Sequence, residues 1–233
     1  MNKIKQLTND PRLVLVGGWE FMKDDGIDKE IARLANGKIV LIPDASNFPE
    51  KQIDRAIEKY KKYDTEILLL DNDAPVIPKN IRVVYIGGGQ PAKLIEYFKH
   101  HPELLQNIKS RWHKKEIIWC GSSTGAMVVT KEMLAPNSYG QGEVDLEPSL
   151  TLIKNNAIFI PHWDSLDTQE KWRRKILTAH REKPLVTIDE YTSFFWYDNK
   201  AKVVGLGKVN IARNGDIKTY RDGETISDFP LIL

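Results

Sequence analysis

Short, almost continuous apolar runs punctuate the chain at 13–16, 39–42, 66–70, 82–86 and 117–120. They do not alternate apolar with polar. Strands buried on both faces have this pattern, and it predicts a parallel sheet. Between the runs the period changes. In 49–63 the apolar positions Ile53, Ala56, Ile57 and Tyr60 recur at helical spacing, with Lys and Glu on the other face. Pro49 suits a first helical turn. Segments 28–35 and 90–100 follow the same period. Strand–helix–strand alternation with crossovers of this length predicts an α/β fold in three layers, a mostly parallel sheet with helices on both faces. Beyond residue 200 the segments become short: 201–206, 209–212 and 217–220. Asn214-Gly215 between the last two is a strong hairpin signal, so an antiparallel C-terminal extension at a sheet edge is expected. No Pro/Ser/Gly-rich linker divides the chain and no internal repeat is visible, so 1–233 reads as one domain.

Composition narrows the class. The chain has 233 residues, 34 basic against 32 acidic, and a formal charge of +2. With 41% hydrophobic and 28% charged residues it is neither disordered, collagen-like nor a coiled coil. No block of five like charges occurs, which argues against a general polyanion binder. Cys120 is the only cysteine, so no internal disulfide and no CxxC metal site can form. Residues 1–10 are polar and lack the apolar core of a signal peptide. No window approaches the ~18 apolar residues of a membrane span. A soluble, cytoplasmic protein is expected.

The densest chemistry lies at Gly121-Ser122-Ser123-Thr124-Gly125, a G-x-S-x-G pattern between an apolar strand and the helix-like 126–129. In such a nucleophile elbow the central Ser sits on a sharp turn, and the residues two away must be small where strand and helix nearly collide. Gly121 and Gly125 meet that need, which selects Ser123 over Ser122 as nucleophile. Upstream, the strand 82–86 ends in Gly87-Gly88-Gly89-Gln90. Glycines let backbone N–H groups turn toward an anion, and acyl transfer needs two such donors around its oxyanion. Thr124 supplies one, Gly88 or Gly89 the other. No Gly-Lys-Ser/Thr follows, so this is no P-loop.

Of five histidines, His100 and His101 end a helix before Pro102, His113 lies among lysines, and His180 ends another helix. His162 differs. It follows the apolar run 157–160 and Pro161, at the end of a strand, and ligands in parallel α/β sheets bind at carboxyl ends of strands. His162 is therefore the expected general base.

Four motifs occur in order: Gly87-Gly88-Gly89-Gln90, Gly121-Ser122-Ser123-Thr124-Gly125-Ala126, Pro161-His162-Trp163-Asp164 and Ile188-Asp189-Glu190-Tyr191-Thr192. Together they resemble the dipeptidase E and cyanophycinase family of serine peptidases, which shares the fold of class I glutamine amidotransferase domains. The resemblance spans roughly residues 12–206. The family elbow usually reads Ser-Ala-Gly-Ala, and here it reads Ser123-Thr124-Gly125-Ala126. The resemblance implies a Ser–His–acid triad of Ser123, His162 and a carboxylate. The loop 131–148 offers Glu132, Glu143, Asp145 and Glu147. Glu143, after Gly140-Gln141-Gly142, is chosen, with Glu190 the runner-up and Asp145 a further alternative. Relatives act on aspartyl peptides, which implies a cation near the site, for which Arg173 and Arg174 are candidates. No cofactor and no metal are implied. The partner implied is a small peptide substrate; neither nucleic acid nor membrane is expected, and a homodimer is left open.

The leading expectation is thus a serine hydrolase acting on small peptides, Asp-containing ones among them. One alternative is an amidotransferase-like or carbohydrate-binding module without hydrolysis. Cys120, three residues before Ser123 and inside a strand, is poorly placed as a glutaminase nucleophile. Another is an esterase of α/β-hydrolase type, which shares the Ser…acid…His order.

Overall fold

The computed structural model describes residues 10–19, 21, 25–71, 73, 75–135, 144–165, 170–198 and 200–227. Five parallel strands lie side by side in the order β1 (Leu13–Val16), β5 (Ile118–Ser122), β4 (Val83–Ile86), β2 (Lys38–Ile42) and β3 (Glu66–Leu69). Beyond β1 the sheet continues antiparallel through β10 (Thr192–Tyr197), β11 (Lys200–Gly205) and β14 (Thr225–Ser227). The apolar runs form the parallel strands, largely buried except for the edge strand β3, where Glu66 and Leu69 are exposed and Ile67 and Leu68 half-buried; of the C-terminal segments, 201–206 joins the antiparallel extension of this sheet.

Successive strand residues point to opposite faces, and the two faces have separate cores. Leu13, Leu15, Val84, Ile86 and Trp119 pack with Leu94, Phe98, Leu104 and Ile108 of α3 (Pro91–His100) and α4 (Pro102–His113). Val14, Val16, Leu41, Val83 and Cys120 pack with Ile31, Leu34, Ala56 and Tyr60 of α1 (Asp25–Ala35) and α2 (Pro49–Lys61). The result is the expected three layers. Each fully buried Leu, Ile or Val contributes about 1.5–3 kcal/mol against exposure, so neither face can be polar. Pro49, Pro91 and Pro102 each open a helix, where the missing N–H leaves no bond unmade.

The segments around His162 and Glu190 leave this sheet. β8 (Ile158–Ile160) pairs parallel with β9 (Leu185–Ile188), and β9 pairs with the hairpin β12 (Lys208–Arg213) and β13 (Asp216–Arg221). The hairpin turn is Asn214-Gly215, with φ of 54° and 92°, the left-handed pair that a two-residue turn requires. Part of the expected extension therefore builds a second, four-stranded sheet. It packs on α6 (Glu170–Ala179) through Ile158, Ile160, Trp172, Ile176 and Leu185, and Leu134 joins them from β6 (Glu132–Leu134), which pairs with β7 (Leu146–Pro148). The two sheets are tied at their strand ends. His162 N–H donates to the Gly17 carbonyl (2.8 Å) just past β1, and Tyr191 N–H, between β9 and β10, to the Gly18 carbonyl (3.3 Å). Among the described residues no helix is long and apolar enough to cross a membrane.

Candidate active site

Strand β5 enters the elbow fully buried, and Ser123 follows it with φ 49° and ψ −110°. A side chain at positive φ costs on the order of 1–3 kcal/mol, and such strain persists where the surroundings over-determine it. The surroundings here are specific. Ser123 N–H donates to the Val16 carbonyl at 3.0 Å, and its own carbonyl accepts from Ala126 (2.9 Å) and Met127 (3.1 Å), starting the single turn α5 (Thr124–Met127). Trp119 Nε1 donates to the Gly125 carbonyl at 3.0 Å. A methyl group on Gly121 would lie 2.1 Å from the Gly125 carbonyl oxygen, and one on Gly125 would lie 2.4 Å from that of Ile86. The two glycines are thus required by contact, as the elbow pattern anticipates. Ser122 points into the protein and has no exposed surface. Cys120 is likewise buried among the apolar residues under α1 and α2.

The glycine-ended strand β4 lies beside the elbow. Gly87 N–H donates to the Ile42 carbonyl (3.0 Å) and Gln90 N–H to the Ala45 carbonyl (2.7 Å). Gly89 has φ 146°, and a methyl group there would lie 2.0 Å from the Ala45 oxygen. The Thr124 hydroxyl donates to the Gly89 carbonyl at 2.5 Å. Three bonds, to the end of β2, to the turn after it and from α5, therefore fix this loop. Gly88 and Gly89 line the cavity that holds Ser123, while Thr124 is buried behind it.

His162 also has positive φ, 56°. Its Nε2 lies 3.0 Å from Ser123 Oγ and its Nδ1 lies 2.9 Å from Glu190 Oε1. An ionised carboxylate only accepts, so Nδ1 carries the hydrogen and Nε2 is left to accept from the serine. Glu190 is held in turn: its N–H donates to Asp164 Oδ1 at 2.8 Å. Its side chain is 15% exposed, against 31% for that of His162. Asp189, its neighbour, is buried with its carboxyl pushed above the usual range, by burial first and by Asp164 next. Asp189 Oδ2 accepts the Lys208 N–H at 2.9 Å and anchors the chain just before Glu190.

Placement of the carboxylate differs from the sequence reading. Nδ1 has one hydrogen to give, and Glu190 receives it, so Glu190 fills the position assigned above to Glu143. Glu143 itself lies outside the described residues. Of the other loop candidates, Glu132 pairs with Lys183, and Glu147 lies exposed in β7. The Asp145 carbonyl accepts the Ala135 N–H at 2.9 Å.

Placement of the cations differs too. Ser123 and His162 open into a cavity of about 410 Å³ that is also lined by Trp19, Phe21, Ser46, Phe48, Lys51, Gln52, Arg55, Gly88 and Gly89. Arg173 and Arg174 do not line it. Arg173 stacks over the Trp163 ring, 4.7 Å from its centroid, and donates to the Trp163 carbonyl. Arg174 pairs with Glu170 one turn back on the exposed face of α6. Among the described residues, the cations that line the cavity are Lys51 and Arg55 of α2, and no carboxylate lines it. Sequence reading missed these two because, on the sequence alone, they are ordinary charges on the polar face of an amphipathic helix. It also missed Trp19 and Phe48, 48% and 64% exposed. Their only signal was position, since each follows the end of an apolar run.

The arrangement is a serine held against an imidazole and a carboxylate, beside a pinned glycine loop, at the mouth of a cationic cavity. Comparison with known proteins gives the fold and the family. A cyanophycinase from Geminocystis herdmanii is 24% identical, over 99% of this chain and 90% of that protein. The crystal structure of a peptidase from an acI-B1 actinobacterium superposes with a TM-score of 0.76 at 22% identity, covering 95% of this chain and 98% of the other. A putative peptidase E protein from Listeria monocytogenes superposes with a TM-score of 0.57 at 14% identity, covering 85% of this chain and all of that one. The sequence pattern of peptidase family S51 matches residues 13–204, which takes in the five parallel strands and every residue of the Ser123–His162–Glu190 constellation, and the chain belongs to that family.

Proposed function

We propose that the protein is a serine peptidase that hydrolyses small, carboxylate-bearing peptides, aspartyl peptides among them, with Ser123 as nucleophile, His162 as general base and Glu190 as the acid. The observation that carries this reading is the hydrogen-bonded series Ser123 Oγ–His162–Glu190, 3.0 Å and 2.9 Å, in a cavity whose described lining includes the cations Lys51 and Arg55 and no carboxylate.

Each group has a task. Ser123 Oγ attacks the scissile carbonyl carbon and its proton passes to His162 Nε2. Glu190 holds the ring in the tautomer that leaves Nε2 free and stabilises the imidazolium that forms. The carbonyl oxygen becomes an oxyanion. The Thr124 amide is the first of α5, where a helix's N–H groups lack an intrahelical acceptor, and it donates to that oxygen together with Gly88 or Gly89. His162 then protonates the departing amine, which breaks the C–N bond and leaves an acyl-Ser123. Water, deprotonated by His162, hydrolyses the ester and restores the serine. A cyanophycinase among its relatives is in keeping with a substrate built on aspartyl bonds.

The test is covalent. A fluorophosphonate probe should label the protein at Ser123, and Ser123→Ala should abolish labelling and turnover of Asp-Xaa dipeptides. Ser122→Ala should keep most of both. Full activity in Ser123→Ala, or equal loss in both variants, would overturn the assignment.

A further inference from the structure

The α2 side of the cavity has a composition that a peptidase mechanism alone does not require. Lys51 and Arg55 lie four residues apart on α2, which places them on one face of the helix. Phe48 immediately precedes this helix, and Lys51 Nζ stands 5.0 Å from the centroid of its ring. Trp19 lies on the same cavity from the loop after β1, with φ 57°, between Gly18 at 127° and Phe21 at 66°. Phe21 is fixed by edge and tilted contacts with Tyr60 and Tyr85, at 5.8 and 5.1 Å between centroids. A strained loop thus holds one exposed aromatic over the cavity, and the N-terminal end of α2 presents a second beside a pair of cations. Large aromatics exposed together on a cavity wall mark a surface that binds something.

We propose that this wall is a subsite for the C-terminal residue of the substrate: Lys51 and Arg55 hold its free α-carboxylate, and Phe48 and Trp19 receive its apolar side chain. The chemistry matches for a simple reason. A C-terminal residue carries its carboxylate and its side chain on one carbon, so it needs a cation and an apolar surface within a few ångströms of each other. An aspartate side chain ends in a carboxylate with a single methylene behind it and has no use for the aromatics. A cavity of about 410 Å³ lies near the small end of ligand pockets and suits a peptide of two or three residues. The site then cleaves the bond that releases a residue with an apolar side chain and a free C-terminus. This inference rests on the peptidase reading above, and its test is one of binding, independent of turnover.

Calorimetric titration of Ser123→Ala with Asp-Leu and with Asp-Leu amide measures the worth of the terminal charge. The free acid should bind at least tenfold more tightly, about 1.4 kcal/mol. In the Ser123→Ala, Lys51→Met, Arg55→Met variant the acid should bind no better than the amide. The ratio of Asp-Leu to Asn-Leu should survive those two changes, which separates the terminal carboxylate from the side-chain one. Phe48→Ala should bring Asp-Leu down toward Asp-Gly and leave Asp-Gly unchanged. Lys51, Arg55 and Phe48 are exposed, so these variants should fold. Equal binding of acid and amide, loss of the Asp-over-Asn preference in place of the acid-over-amide one, or no binding of either peptide would overturn the proposal. Failure of the peptidase reading would show instead as the absence of fluorophosphonate labelling at Ser123 in the otherwise unaltered protein.

Discussion

The Thr124 hydroxyl donates to the carbonyl of Gly89 at 2.5 Å, which ties the serine elbow to the glycine loop at the end of the neighbouring strand. The sequence suggests that Thr124 acts through its backbone alone. The structure adds a second task for its side chain, because both proposed sources of oxyanion donors are held together by this one bond. Thr124→Ala should therefore lower kcat by about tenfold, roughly 1.4 kcal/mol in the barrier. Thr124→Ser, which keeps the hydroxyl, should stay within about threefold. Equal rates for Ala and Ser would mean that the Gly87–Gln90 loop holds its shape without the tether.

Glu190→Gln tests the acid. The amide can still touch Nδ1, but its oxygen no longer carries the charge that stabilises an imidazolium, and its NH2 can impose the wrong tautomer. Turnover should fall at least a hundredfold, about 2.7 kcal/mol, with little change in melting temperature or KM. Glu143→Gln should remain near the parent rate. The opposite pattern would restore the 131–148 loop as the source of the acid.

Much of this arrangement is legible in the sequence, and the gaps have physical causes. Ser123 and His162 can be found because each follows an apolar strand run, and glycines at Gly121 and Gly125 mark a collision that only a sharp turn produces. The parallel layers are legible because doubly buried strands such as β1 and β4 tolerate no polar residue. Glu190 is harder to recognise. It follows a strand that leaves the main sheet, and a chain separation of 28 residues from His162 says nothing of that seam. Lys51 and Arg55 were invisible because solvent and a substrate carboxylate select the same side chains on a helix face. Arg173 was misleading for a similar reason: an arginine after the catalytic motif can as well stack on Trp163 as bind a ligand.

Asp164 is expected to position Glu190. It lies two residues beyond His162 and accepts the Glu190 N–H at 2.8 Å, so it links the base-bearing and acid-bearing turns. Asparagine keeps an acceptor oxygen there and alanine does not. Asp164→Ala should lower kcat about tenfold with KM little changed, and Asp164→Asn should restore the rate to within about threefold of the parent. A residue that served stability alone would shift the melting temperature of both variants without this split.

Gly18 offers the sharpest separation of strain from contact. It has φ 127°, and a methyl group on it would lie 2.1 Å from Cε1 and 2.6 Å from Nε2 of His162. Gly37 also has positive φ, 102°, yet a methyl group there would meet nothing within 4 Å. Alanine is strained at both backbones, so both substitutions should cost stability by more than about 0.4–1 kcal/mol. Only the one at Gly18 should also displace the imidazole. A shift of about 1 Å in Nε2 breaks its 3.0 Å contact with Ser123 Oγ and takes Nδ1 away from Glu190 together with it. Misplacements of that size cost on the order of a hundredfold in rate. Gly18→Ala should therefore lose at least a hundredfold in kcat, and fluorophosphonate labelling should slow in proportion, because the probe needs the same activated serine. Gly37→Ala should lose melting temperature and keep its kcat. If Gly18→Ala labels and turns over at the parent rate, His162 has room to move without consequence, and the serine is activated by something other than this ring.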